Sequence, residues 1–464
     1  MKPSLSLFSL CLLLAACGSP APRPESGINP PPNWQSPHTD LPASNNRQWW
    51  TQFGSPQLDQ LIEQSRVGSH DLAAAVARVR QAQASTVIAG GSQLPQITAG
   101  LNANRQKLLR GQGYSQLDTD SSDKTLDYFD ANLSATYEVD FWGGQRALRD
   151  SAQFALQASE SDRATVELTL LSGVANSYAQ NLSLREQSRI AELNLGNARR
   201  VLRLVQTRFD SGSATALELA QQKSLVAAQQ RQLPLVQQQA EDARISLAAL
   251  LGRPVQNLAL ADEPFERLHW PSIDAGLPSE LLSRRPDIAR AEAQLAAAQA
   301  DVHVARAAML PKLTLSASLG SGADRAGDLL RSPFYNLTAG LLAPVFNNGR
   351  LGAERDKATA RQEELLETYR GAIINGFADV EKALNSIRGL DEQRQWQGEE
   401  LSQAQTAFDI AQQRYQAGAE DLLTVLETQR TLYAAQDLNV QLRLSRVQAS
   451  IALYKALGGG WQTL

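Results

Sequence analysis

The chain has 464 residues, enough for one large or several ordinary domains, so core size is not limiting. Its 44 basic and 48 acidic residues are interspersed, giving a formal net charge of −4, with no Lys/Arg block to track a nucleic-acid backbone. His38, His70, His269 and His303 lie far apart without metal-ligand spacing, which leaves no constellation for an enzyme or a bound metal.

At the N-terminus, Lys2 precedes an apolar run from Leu5 to Leu14 and then small residues, the layout of a secretory signal peptide over 1–16. The run is too short to cross a bilayer, which needs about 20 apolar residues as a helix, and no later stretch supplies them. Leu14, Ala15, Ala16 and Cys17 resemble the lipobox of bacterial lipoproteins, so the mature chain is expected to start at a lipid-modified Cys17. The other cysteine, Cys11, falls in the removed segment, leaving Cys17 without a disulfide partner. Gly18 and Ser19 follow, rather than the Asp usual in inner-membrane retention, which points to the outer membrane. Prolines 20, 22, 24, 30, 31, 32, 37 and 42 make 17–56 an extended tether from the lipid to the body. Trp34, Trp49 and Trp50 either pack that tether down or lie on the surface.

The remainder is a tandem duplication. Asp71, Gln83–Ala84 and Leu94–Pro95 recur at one constant offset as Asp287, Gln299–Ala300 and Leu310–Pro311. At a second constant offset Arg208, Phe209, Gly212 and Leu251–Gly252 recur as Arg414, Tyr415, Gly418 and Leu457–Gly458. The expected division is a first repeat over 57–252, an inter-repeat connection over 253–280, a second repeat over 281–457 and a C-terminal segment over 458–464.

Each repeat opens with a helix (Leu72, Val76, Val79; Ile288, Leu295, Val302) stopped by Pro95 or Pro311. Two strands with period-two alternation follow in each, at about 96–140 and 312–345. Ile97, Ala99 and Leu101 alternate with Thr98, Gly100 and Asn102, and Leu313 and Leu315 with Thr314 and Ser316. The same alternation fits a half-buried sheet in a soluble sandwich. Proline-free stretches from Gln145 to about Asp210 and from Arg350 to about Gln416 predict helices of about 100 Å. Their seams step by threes and fours: Leu168, Leu171, Ala175, Tyr178, Leu182 and Ile373, Phe377, Val380, Leu384, Ile387. Gly-containing turns at 211–215 and 417–421 then lead into return helices at 216–251 and 422–457, with a kink expected at Pro234.

Four amphipathic strands cannot close a barrel alone, since about 8 are the fewest that do. If they lie in lipid, copies of the chain must share one barrel, with the Ile97/Leu101 and Leu313/Leu315 faces outward. At this point a family resemblance enters. Tyr137-Glu138-Val139-Asp140-Phe141-Trp142-Gly143, Arg285-Pro286-Asp287-Ile288, Ala343-Pro344-Val345-Phe346-Asn347-Asn348-Gly349-Arg350 and Tyr454-Lys455-Ala456-Leu457-Gly458-Gly459-Gly460-Trp461 resemble, in order, the motifs of TolC-like outer membrane factors, lipoprotein branch. That branch often carries Val-Gly-Pro-Asp-Tyr after the lipid cysteine, where this chain has Gly18-Ser19-Pro20-Ala21-Pro22.

The resemblance implies an α+β membrane protein: a homotrimer with a 12-stranded barrel and long antiparallel helical hairpins forming a periplasmic tunnel. It implies the outer-membrane channel of a tripartite efflux system, conducting passively, partnered by a periplasmic adaptor and an inner-membrane transporter, with no cofactor beyond the covalent lipid. It places adaptor contacts at the tips, on Arg208, Phe209, Gly212, Arg414, Tyr415 and Gly418. A periplasmic gate falls on Glu218, Tyr415 and Glu427, while Thr424 stands where some relatives have an acidic residue. The two tip glycines also serve simply as helix caps. The contrasting possibility is a non-conducting structural lipoprotein spanning the periplasm, which has no need of four alternating strands.

Overall fold

The computed structural model describes residues 26–35, 47–107, 125–273 and 275–461. The signal peptide, Cys17, half of the tether and the connection after residue 107 lie outside the described residues. The first repeat contains α1 (Pro56–Gly68), α2 (His70–Gly91), β1 (Gln96–Lys107), β2 (Thr125–Val139), α3 (Gly144–Asp210) and α4 (Ala216–Leu250). The second contains α5 (Pro278–Arg284), α6 (Pro286–Ala307), β3 (Lys312–Ala323), β4 (Pro333–Leu342), α7 (Arg350–Gln416) and α8 (Leu422–Ala456). The duplication is carried into lengths: α3 and α7 each have 67 residues, α4 and α8 each have 35, and β1 and β3 each have 12. No described helix is apolar enough over its length to cross a membrane.

The chain forms two compact units, and both repeats contribute to each. One unit, with residues 79–158 and 291–369, holds a four-stranded antiparallel sheet of order β1-β2-β3-β4. The register pairs odd residues with odd and even with even throughout, as in Ala99↔Leu133, Leu133↔Leu319 and Leu319↔Tyr335. Through the middle of the sheet Ile97, Leu101, Leu133, Leu315 and Leu337 therefore fall on one face and Thr98, Asn102, Ser134, Ser316 and Thr338 on the other, while toward the strand ends Leu126, Phe334 and Leu342 join the polar face and Ser321 the apolar one.

The other unit, with residues 27–78, 159–290 and 370–464, holds the larger apolar core. The two helical seams supply part of it: Leu171, Ala175, Tyr178 and Leu182 from α3 and Val380 and Leu384 from α7 are all buried in it. Both tether tryptophans at 49 and 50 sit in this core, and Trp49 stacks on Tyr454 at 5.2 Å between ring centroids. Trp34 is also buried, donating its indole N–H to the Gly276 carbonyl at 2.7 Å. These aromatics are packing anchors, each burying a large ring, and among them Trp34 also satisfies its indole N–H. The Gly-rich C-terminal motif is explained by close approach, because a Cβ at Gly458 would lie 1.9 Å from the Arg284 carbonyl oxygen. Its counterpart Gly252 would likewise meet the Gly68 carbonyl at 2.0 Å. Helix α4 runs through Pro234 as a single element, lacking one N–H in its ladder.

Candidate functional site

The sheet presents two unlike faces. On the odd face Ile97, Leu101, Leu337 and Leu341 are each 68–77% exposed in the single chain. A contiguous apolar face of that kind needs lipid or protein over it. On the even face the side chains bond across strands, Thr98 to Ser134 at 2.7 Å and Asn102 donating to Asp130 at 3.0 Å, and along β2, where Asn132 donates to Asp130 at 3.1 Å. Such a face suits a water-filled lumen.

Where strand gives way to helix, the Tyr137–Gly143 motif supplies a cap. The Asp140 carboxylate accepts from the backbone N–H groups of Gln145 and Arg146, at 3.0 and 2.9 Å, satisfying two orphan donors at the start of α3. The Trp142 indole N–H donates to the Pro311 carbonyl at 2.7 Å, fixing the turn against the base of β3. In the second repeat, where Phe346 takes the place of Asp140, Asn347 caps α7 instead, its backbone carbonyl accepting from Arg350 N–H at 3.1 Å and its side-chain oxygen from Leu351 N–H at 3.4 Å.

The Arg285–Ile288 motif builds an ion cluster around a buried arginine, with Asp287 half-buried and Asp379 exposed. Arg285 donates through Nε and Nη2 to the two carboxylate oxygens of Asp287, at 3.0 and 2.6 Å, and through Nη1 to Asp379 at 3.1 Å and the Ala456 carbonyl at 3.2 Å. Burial acts to raise the Asp287 pKa, but the Arg285 bonds outweigh it and hold the carboxyl below its ordinary value. Thus this motif ties the start of α6 to α7 and to the end of α8.

At the hairpin tips, Gly212 and Gly418 adopt φ of 73° and 77°. Each ends its long helix in a Schellman turn, with Ser213 N–H to the Arg208 carbonyl at 2.7 Å and Ala419 N–H to the Arg414 carbonyl at 2.9 Å. The return helices start on side-chain caps, Thr215 in a capping box with Glu218 and Asp421 accepting from Thr424 N–H at 2.9 Å.

These caps bear on the expected gate. The Glu218 carboxylate accepts from the Thr215 N–H and hydroxyl, at 2.6 and 2.9 Å. Tyr415 is buried under Arg208, whose guanidinium carbon lies 4.6 Å from the ring centroid and whose Nη1 donates to the Tyr415 carbonyl at 2.8 Å. Burial pushes the Tyr415 hydroxyl pKa up, and the nearby Glu218 charge adds to the rise against the pull of Arg208. Within one chain, therefore, Glu218 serves as a cap and neighbours Tyr415 electrostatically. Glu427 lies farther along α8 and is exposed. Sequence reasoning missed the Arg208–Tyr415 stack, the Asp140 cap and the Arg285 cluster, although Arg208, Tyr415, Asp140, Arg285 and Asp287 all stood inside quoted motifs; Asp379 did not.

The model for the family described as "Outer membrane efflux protein" matches residues 61–253 and 277–459. The chain is 66% identical over 464 residues to the pyoverdine export outer membrane protein OpmQ of Pseudomonas aeruginosa, covering 99% of this chain and 97% of that one. It is 60% identical over 459 residues to OpmQ of Pseudomonas putida, with the same shares covered. Among solved structures, the outer-membrane channel OprN superposes with a TM-score of 0.89 at 27% identity, over 96% of this chain and 99% of that one. CusC superposes with 0.81 at 28%, over 92% and 99%. Two-faced strands, duplicated hairpins and matches across both repeats thus converge: the chain belongs to the outer membrane efflux protein family and is an outer-membrane channel component of a tripartite efflux system, with a large periplasmic part.

Proposed function

We propose that three copies assemble into one channel that exports a pyoverdine-type siderophore, delivered at the hairpin tips by a periplasmic adaptor and an inner-membrane transporter. The observation that carries the cargo assignment is 66% identity, over nearly the whole of both chains, to a protein named for pyoverdine export. The trimer is supported by the sheet itself, whose four strands leave β1 and β4 as open edges that lipid cannot satisfy. Three copies supply twelve strands. The mature chain in this reading starts at a lipidated Cys17, and 17–56 tethers it to the body formed by the repeats at 57–252 and 281–457.

The tip residues Arg208, Phe209, Gly212, Arg414, Tyr415 and Gly418 face the adaptor, and Glu218, Tyr415 and Glu427 narrow the tunnel there. Three symmetry-related Glu427 carboxylates form a cation-attracting ring. Cargo is tested by expressing this chain in a pyoverdine producer that lacks its own outer-membrane exporter. Restored secretion is expected, and unrestored secretion with normal membrane insertion would count against the cargo. The gate is tested by single-channel recording: a Glu218→Ala, Tyr415→Phe double variant should conduct more than the parent, and unchanged conductance would overturn that assignment.

A further inference from the structure

The duplication makes each hairpin a near copy of the other, so a contact inside the chain can be compared with its counterpart one repeat away. Arg208 of the first hairpin covers Tyr415 of the second. Shifted by the repeat offset, the equivalent pair is Arg414 and Phe209, and in the single chain both are exposed. The difference extends around them. Tyr415, Leu422 and Leu426 are buried against the first hairpin, in a cluster that includes its Val201 and Val205. Their counterparts Phe209, Ala216 and Ala220 are all exposed. Arg414 is held by Glu420 at 3.3 Å, with its side chain still 57% exposed. One hairpin thus offers an aromatic and small-residue face with no arginine over it, and the other offers an arginine with no ring beneath it.

These two half-faces are the two sides of one contact. They belong to different hairpins, so the contact is heterologous, and repeating it closes a ring if the rotation permits. We infer that Arg414 of one copy stacks on Phe209 of the next, reproducing between subunits the Arg208–Tyr415 stack made within each. Hairpins from alternating repeats then follow one another around the tip, joined by cation–π contacts that alternate within and between chains. This rests on the assembly reading above and assigns it specific contact residues at the tip. It also accounts for an arginine at both 208 and 414.

The sequence contains two cysteines, Cys11 and Cys17, so introduced thiols can be read against the unsubstituted parent. Purified full-length protein carrying Phe209→Cys with Arg414→Cys is treated with a short bismaleimide, after its native mass is measured. Covalent dimers and trimers are expected on denaturing gels from the double variant. Each single variant, and an Arg208→Cys, Tyr415→Cys control that links within the chain, should remain monomeric. A trimeric native mass with no ladder would overturn the intersubunit stack alone, whereas a monomeric native mass would overturn it together with the assembly reading. A ladder from either single variant would place like residues together at the boundary and would equally overturn the pairing. As a functional counterpart, Arg414→Ala should raise single-channel conductance and Arg414→Lys, which keeps a cation over the ring, should raise it less.

Discussion

Arg285 shows how much of the molecule one motif residue can hold. Its guanidinium is nearly buried and serves two carboxylates and a helix-terminal carbonyl, so removing it strands Asp287 beside an empty volume. Breaking a fully buried pair from one side costs about 3–5 kcal/mol, and because Asp287 and Asp379 stay partly solvated, Arg285→Ala should destabilise by less than that in denaturant unfolding. Arg285→Lys keeps the charge but loses the fork, and should recover only part of the loss. The same cluster has a pH signature. The Asp287 pKa is depressed below 3.8, so its stabilisation is complete above that value and disappears as pH falls below it. Unfolding curves of the parent and an Asp287→Asn variant should therefore separate at neutral pH and converge in acid. A constant separation down to the lowest pH at which the parent folds would show that the carboxylate charge is not what matters.

Among the elements, the sheet is the one whose two faces can be told apart by experiment. Leu337 and Thr338 are adjacent on β4, but Leu337 pairs with Ala317 on the apolar face and Thr338 with Ser316 on the polar one. Arginine on a lipid face costs about 2–4 kcal/mol at mid-depth, whereas on a lumen face it alters selectivity. Leu337→Arg should reduce the amount of folded protein in the outer membrane, while Thr338→Arg should assemble normally and shift the reversal potential in a salt gradient toward anions. Equal assembly of the two would remove the basis for the face assignment. That assignment was legible in the sequence, because period-two alternation survives in any register that keeps parity. The long helices were equally legible: α3 ends at Asp210 and α7 at Gln416, where Gly212 and Gly418 permit the turn. What pattern alone could not give was which side chains meet across distant segments. Arg208 and Tyr415 stand far apart in sequence, and only the packing of hairpin on hairpin puts the guanidinium over the ring. Trp34 and Trp49 were ambiguous for the same reason, since burial of a tether residue depends on the surface it finds.

For the whole molecule, closure of the channel rests on what happens at the edges of the sheet. In an antiparallel pair, successive residues of a strand turn their N–H and C=O groups alternately toward one neighbour and the other. Along β1, each residue bonded to β2 is therefore followed by one whose groups point away from it. If β1 were a free edge, proline would be tolerated at every second position, because the lost N–H had no partner there. If β1 instead pairs with β4 of the next copy, both kinds of position lie inside a ladder, and a missing bond within lipid costs several kcal/mol at either. Leu101→Pro and Asn102→Pro, made separately at the middle of β1, should each abolish the trimer, read as native mass from outer-membrane extracts. Were one of the two to assemble like the parent, β1 would be an open edge, and the chain would need some other means of closing its barrel.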